Sequence, residues 1–274
     1  IEVSENLETL AHYDQVRKMR ASILVLGPLL ARFKKAKVSL PGGCAIGARP
    51  IGMHLDALKK MGANIEVEAG YVVATTSGLV GTTIDLPFAT VGGTENIMMA
   101  ASLAEGVTTI NNAAREPEIE DLANYLETMG AKVEGAGTST LKVHGQKQLS
   151  AGVHSVIADR IEAGTLVVAA AITKGRVEIK DCNPKHLTAF LDALVAMGVP
   201  LKTSETTISV EPYDSLKPTK IVTAPFPGYP TDLQAQAMAL MTQVEGESEI
   251  EEKVLRIRKK TGWGENKICD YIPN

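Results

Sequence analysis

Cysteine and aromatic residues are scarce in this chain: three cysteines, one tryptophan and four phenylalanines occur among 274 residues. The cysteines, Cys44, Cys182 and Cys269, are far apart and form no C-x-x-C pair. Such an odd, dispersed set of thiols argues against a disulfide framework and a zinc ribbon; no metal site is apparent, and the expected compartment is a reducing cytoplasm. Long apolar runs are missing as well. Residues 21–33 and 164–172 are the longest; they are too short to cross a bilayer and read as buried helices, the first containing Pro28. Nor does one sign of charge dominate. With 28 basic and 32 acidic residues the net charge is −4, so neither nucleic acid nor a membrane is an expected partner. The chain opens on Ile1 with no charged-then-apolar leader, and no targeting segment is expected. What remains, 45% hydrophobic and 22% charged residues, is the mix of an ordered globular protein, and the length suggests two domains.

What the chain does have is an internal repeat. Leu58-Lys59-Lys60-Met61-Gly62-Ala63, Leu126-Glu127-Thr128-Met129-Gly130-Ala131 and Leu194-Val195-Ala196-Met197-Gly198-Val199 share one pattern, each 68 residues from the next. Ile51, Ile119 and Leu187 fall in the same register, giving helical spacing that ends at a glycine. After each glycine come two short alternating runs: 65–67 and 71–74, 133–134 and 141–143, 201–202 and 208–210. They read as paired strands. Before the second and third of these helices lie a more apolar helix and a strand, at 97–104 with 107–110 and at 165–172 with 176–179. The unit is therefore strand, helix, strand, helix, strand, strand. A fourth copy starts near Asp232. One unit cannot bury both of its helices alone, so several copies are expected to pack around shared cores.

The chemistry-bearing stretch is Pro41-Gly42-Gly43-Cys44-Ala45-Ile46-Gly47-Ala48-Arg49-Pro50. A thiol in a glycine-rich loop, five residues before a guanidinium, has the makings of a reactive group, since a nearby cation favours the thiolate and glycines let backbone amides approach a ligand. The plain alternative is a small buried side chain beside a turn.

The repeat and the Cys44 loop do not stand alone. Together with Gly92-Gly93-Thr94-Glu95-Asn96-Ile97-Met98-Met99-Ala100-Ala101, Asn112-Ala113-Ala114-Arg115-Glu116-Pro117-Glu118-Ile119 and Tyr229-Pro230-Thr231-Asp232-Leu233-Gln234-Ala235-Gln236, they resemble the UDP-N-acetylglucosamine 1-carboxyvinyltransferases, a family of enolpyruvyl transferases. The resemblance runs from Ile1 to about Val254. It implies an α/β protein folded as an inside-out α/β barrel, with two domains of three such units each and an active site in the cleft between them. The implied reaction moves enolpyruvyl from phosphoenolpyruvate to the 3′-hydroxyl of UDP-N-acetylglucosamine with release of phosphate. That is the first committed step of peptidoglycan synthesis, which serves cell-wall biogenesis, cell shape and cell division in the cytoplasm. No cofactor is implied, and both substrates are small molecules.

Residue by residue, the resemblance makes Cys44 the acid that protonates the methylene carbon of phosphoenolpyruvate, and Asp232 the carboxylate that accepts the sugar hydroxyl's proton. An aspartate preceding an apolar helical run is also an ordinary N-cap. Arg20 and Arg49 match substrate-contacting positions, where guanidinium geometry suits phosphate and carboxylate. Arg49, Pro50, Ile51, Gly52 and Met53, with Phe88, Ala89, Thr90 and Val91, match two backbone stretches that hold the UDP-sugar, and Val254 matches a further contact. Gly52 stands where many members carry aspartate, and Phe88 where some carry lysine. His54 shares a repeat column with Leu122 and Phe190 and reads as a packed helix residue. Cys182 reads as packed near a turn, and Arg115 with Glu116 as a structured loop pair.

The resemblance sets the expected domains at 1–158, lacking its N-terminal part, and 159–254, a partial second domain, with 255–274 a non-family tail. Removing one T from codons for the family's Val-Phe-Glu-Asn gives Val254-Leu255-Arg256, so a frameshift is the expected origin of that tail. Little or no turnover is expected of a chain truncated at both ends. The competing readings are a non-catalytic nucleotide-sugar-binding remnant and a shikimate-pathway enolpyruvyl transferase, whose family shares the fold but not the cysteine loop.

Overall fold

Three helix ends set the frame of the molecule, and they are built alike. In the computed structural model, which describes residues 7–16, 18–40 and 51–254, Gly62, Gly130 and Gly198 have φ of +96°, +98° and +97°. Their amides donate to Lys59, Glu127 and Val195, and the next amides, of Ala63, Ala131 and Val199, donate to Leu58, Leu126 and Leu194 at 3.0 Å. This is the Schellman pattern, in which a left-handed residue satisfies the last carbonyls of a helix, and it fulfils the expected glycine stop. Even the carbonyl before each glycine is used in the same way. Met61, Met129 and Met197 accept from the amides of Val80, Ser150 and Lys217.

Two compact units follow, the first through Ser155 and the second from Val156. The first contains β1 (Leu10–Ala11), α1 (Tyr13–Val16), a 3-10 segment Arg20–Val25, α2 (Leu26–Phe33), β2 (Lys35–Ser39), α3 (Gly52–Lys60), β3 (Asn64–Glu68), β4 (Tyr71–Thr75), β5 (Thr83–Asp85), α4 (Val91–Ala101), β6 (Val107–Asn111), α5 (Pro117–Thr128), β7 (Lys132–Glu134) and β8 (Thr140–His144). The apolar run 21–33 thus divides into a 3-10 segment and α2, with Pro28 in the first turn of α2, where its missing amide breaks no helical bond. The helix expected at 97–104 starts at Val91 instead, taking Gly92 and Gly93 into its first turn.

The strands form two sheets of one design, ordered β1-β2-β4-β3 and β5-β6-β8-β7. In each, three strands pair antiparallel, and the first strand of the unit lies parallel on the outside, with Ala11 opposite Val38 and Ile84 opposite Ile110. Helix α4 is the core helix, with Ile97, Met98, Ala100 and Ala101 fully buried against a cluster that includes Leu26, Leu30, Leu58 and Ile119.

The second unit holds α6 (Arg160–Ile172), β9 (Val177–Ile179), α7 (Thr188–Met197), β10 (Leu201–Thr203), β11 (Ile208–Val210), β12 (Lys220–Val222), α8 (Gln234–Met241) and β13 (Glu249–Glu251). Asp159 caps α6 by accepting the amides of Ile161 and Glu162. The core gathers Val167, Phe190, Leu194, Met197, Ile208, Leu233 and Leu240. The sheet β10-β11-β9 has three strands, and β12 pairs parallel with β13 in a separate ribbon. The third copy of the repeat therefore departs from the expected unit by lacking its first strand. Residues 145–159 contain no helix or strand. They are held on the first unit by the Ser150 amide on Met129 and by His154 Nε2, 2.8 Å from Asp121 Oδ1.

Candidate functional site

Two of the expected substrate stretches meet in the first unit. Ile51, Gly52 and Met53 open α3, and Phe88 to Val91 lead into α4, whose N-cap is Thr90. The two helix starts are joined by a buried polar stitch. Asn96 on α4 donates from Nδ2 to the Ile23 carbonyl and lies 2.9 Å from His54 Nδ1, while its Oδ1 accepts the Gly27 amide at 2.8 Å. The amide donates to His54, so Nδ1 is an acceptor and the neutral ring carries its proton on Nε2. A Cβ at Gly27 would run into the Asn96 side chain and carbonyl, which makes the close crossing of α2 and α4 dependent on glycine. An added Cβ at Gly92, in the first turn of α4, would lie 3.7 Å from the His54 ring, so the starts of α3 and α4 converge.

Helix starts present unbonded amides and the positive end of the helix dipole, which suits phosphate oxygens. Met53 and His54 are buried, whereas Ile51, Gly52 and Phe88 to Val91 are half-buried. The helix-starting backbone is therefore reachable while the side chains of Met53 and His54 are not. His54 is packed in its helix, as its repeat column suggested, and is hydrogen-bonded as well. The role of Asn96 was not expected from the sequence, although a signal was present: a polar residue directly before the apolar run 97–101.

Acidic groups lie behind this pair of helices. Glu95 sits near Glu116 and Glu118 at the start of α5, and burial, with the charge of Glu118 and then Glu116, pushes its carboxyl above the usual range. Glu116 also accepts the Arg115 amide at 3.0 Å, so the expected loop pair is made through the Arg115 backbone. Thr94 accepts the Ala114 amide and ties the same loop to α4.

In the second unit Asp232 lies in the 3-10 turn Thr231–Leu233, exposed, immediately before α8. It does not hold a cap position, since the N-caps of that turn and of α8 are Pro230 and Leu233. The turn is braced around it. Tyr229 donates its hydroxyl to the Leu233 carbonyl, its ring packs 5.8 Å from that of Phe190, and burial pushes its phenol far above the usual range. Thr231 donates to Glu252 at 2.8 Å, and the Lys253 amide donates to Thr223. The end of the ribbon leading to Val254 is thereby brought to the Asp232 turn. Arg160, buried at the start of α6, has its guanidinium 5.8 Å from the ring centre of Phe226 in the preceding loop. Cys182 is buried, and its thiol is pushed up by burial. Cys44, Arg49 and Pro50, the Arg20 side chain, and the tail 255–274 lie outside the described residues. Among those described, no helix is long and apolar enough to cross a membrane, and no group of three His, Cys, Asp or Glu is placed to hold a metal ion.

Comparison with known proteins supplies the family. The profile of the EPSP synthase (3-phosphoshikimate 1-carboxyvinyltransferase) family matches residues 1–260. The chain belongs to that family. It is 55% identical over 250 residues to the UDP-N-acetylglucosamine 1-carboxyvinyltransferase of Endomicrobium trichonymphae, covering 91% of this chain and 60% of that protein. It is 52% identical over 249 residues to the protein of the same name from Hydrogenovibrio crunogenus, covering 90% and 60%. The chain thus spans about three fifths of the length of these relatives. Among solved structures, the enolpyruvyl transferase NikO from Streptomyces tendae superposes with a TM-score of 0.77 at 24% identity, over 89% of this chain and 59% of that one. EPSP synthase from Acinetobacter baumannii gives a TM-score of 0.61 at 22% identity, over 84% and 54%. The fold is that of the enolpyruvyl transferases, as the resemblance implied.

Proposed function

We propose that this chain carries the machinery for transferring enolpyruvyl from phosphoenolpyruvate to the 3′-hydroxyl of UDP-N-acetylglucosamine. The observation that carries the reading is its identity of 51–55% to three relatives named for that activity. In this reading the sugar oxygen bonds to C2 of phosphoenolpyruvate while Asp232 takes the hydroxyl proton and Cys44 gives a proton to C3. The tetrahedral adduct then loses phosphate and a C3 proton, leaving the enolpyruvyl ether. Arg20 and Arg49 bind anionic groups of the substrates, Val254 is a further substrate contact, and Pro50, Ile51, Gly52 and Met53 with Phe88, Ala89, Thr90 and Val91 hold the UDP-sugar through backbone groups. The convergence of α3 and α4 on Asn96 supports that last assignment, since it draws the two helix starts together. Exposure of Asp232, which holds no cap position, leaves its carboxylate open for proton transfer. The reaction would serve peptidoglycan synthesis, and with it cell shape and division, in the cytoplasm.

Phosphate release from phosphoenolpyruvate tests the reading directly. Little release is expected of a chain spanning three fifths of its relatives' length, but what there is should require UDP-N-acetylglucosamine, should not be supported by shikimate 3-phosphate, and should be lost in Cys44→Ala, because proton transfer to carbon then lacks its donor. Turnover that persists in Cys44→Ala would overturn the assigned role. A second reading, nucleotide-sugar binding without turnover, is favoured by the chain's span of about three fifths of its relatives. Calorimetric binding of UDP-N-acetylglucosamine with no phosphate release distinguishes it.

A further inference from the structure

After Leu149, which packs against the first core, the chain runs back along α5 and its C-cap Met129. The Ser150 amide and hydroxyl both donate to the Met129 carbonyl, at 2.8 and 3.2 Å. A Cβ at Gly152 would run into Thr128 Oγ1, so the backbone lies directly against the helix there. His154 Nε2 is 2.8 Å from Asp121 Oδ1, and its ring centre is 5.5 Å from that of Tyr125. Residues 150, 152 and 154 thus meet residue 129, then 128, then 125 and 121, while Ala151 and Val153 between them are exposed. Four extended steps cover about 13 Å and eight helical residues about 12 Å, so contact at alternate residues keeps register along the helix. By the 68-residue offset from β5, residues 151–153 are where the third copy would have its first strand, yet here they form a strap on the first unit.

The main fastening of the strap is the His154 bond. A carboxylate only accepts, so Nε2 carries the proton of that bond. Asp121 and Tyr125 are one turn apart on α5 and grip the imidazole together. The His154 and Asp121 side chains are 16% and 13% exposed, shielded enough for their bond to count for more than a surface pair. Beyond it Ser155, Val156 and Ala158 are exposed, until Asp159 caps α6. We propose that residues 150–154 are a releasable strap, pinned by His154, that sets the length of free chain joining the two units. Pinned, that chain is residues 155–158, reaching about 14 Å; released, it is residues 150–158, reaching about 30 Å. Such an element opens without its unit unfolding, because it contributes no helix, no strand and no side chain to the first core.

Amide exchange in the isotopically labelled chain tests this. His154→Ala and Asp121→Ala should each speed exchange of the Ser150 amide at least about tenfold, although the bonds of Ser150 go to Met129. Both should leave unchanged the Ala131 amide, which is bonded to Leu126 at the end of α5. Asp121→Asn, which keeps an acceptor for the Nε2 proton, should retain most of the parent's protection. Heteronuclear NOEs should be low only at residues 155–158 in the parent, and from Ser150 onward in His154→Ala. A Ser150 amide indifferent to His154→Ala, an Ala131 amide that speeds with it, Asp121→Asn exchanging as fast as Asp121→Ala, or low NOEs still confined to residues 155–158 in His154→Ala would each overturn the proposal.

Discussion

Removing the Asn96 side chain takes away the acceptor of the buried Gly27 amide. A buried donor left unpaired costs about 1–3 kcal/mol, so Asn96→Ala should lower the urea-unfolding free energy by about 2 kcal/mol or more. If the stitch also aligns the starts of α3 and α4, the same variant should weaken UDP-N-acetylglucosamine binding by more than its stability loss explains; calorimetry on the folded fraction measures this. Glu95 gives a pH signature of defined sign. Its carboxyl is raised by burial and by Glu118 and Glu116, so the protonated form fits the folded state better. The stability it contributes is present below its ordinary value of 4.5 and is lost as pH rises through the folded value. Glu95→Gln should therefore gain on the parent chain between about pH 4 and about pH 7, as read from urea midpoints at both pH values. An unchanged difference across that window would rule the cause out.

At the scale of elements, the glycine stops are the most transferable feature. An added Cβ at Gly130 meets nothing within 4 Å, so Gly130→Ala tests backbone conformation alone. With φ at +98° the substitution should cost about 1 kcal/mol, seen as a lowered melting temperature without loss of helix signal. These stops and the hairpins after them were legible because their signals are local: apolar spacing, a glycine and alternation all fall within about twenty residues. The outer strands were expected as the first strand of each unit, but their residues were not. β1, β5 and β12 are two or three residues long and pair with strands after an intervening helix, so no local pattern marks them. Nor did the repeat reveal that its third copy would give up residues 151–153 to the first unit; that depends on His154 reaching Asp121. Motifs singled out Asp232 and the stretch 88–91 as candidates, but nothing in them signalled the bracing of the Asp232 turn by Tyr229 and Glu252. Those bonds join residues whose sequence spacing carries no periodic signal.

For the whole molecule the central fact is two separate cores, one around Leu58, Ile97 and Leu126 and one around Phe190, Leu194 and Leu240. Leu58 and Leu194 hold equivalent places in the repeat, and both are fully buried. Leu58→Ala and Leu194→Ala should each cost about 2–5 kcal/mol, in different units and additively in the double variant. Hydrogen exchange read by unit should show Leu58→Ala loosening the segments through Ser155 and Leu194→Ala those from Val156. A single shared response to either change would mean that the two cores unfold as one.

Between those cores the chain runs through residues 145–159 without helix or strand, and Val153 and Val156 are 94% and 80% exposed. Among the described residues, this stretch offers a protease exposed backbone outside any helix or strand. Extended backbone with aliphatic side chains standing free is what a cleft-type endopeptidase accepts, whereas the hairpins and capped helices on either side must open before they fit. One cut would part the first two copies of the repeat from the later ones, each side keeping its own buried helix. The seam through which a chain of this design is most readily divided, or joined to another, therefore lies where the repeat gave up a strand.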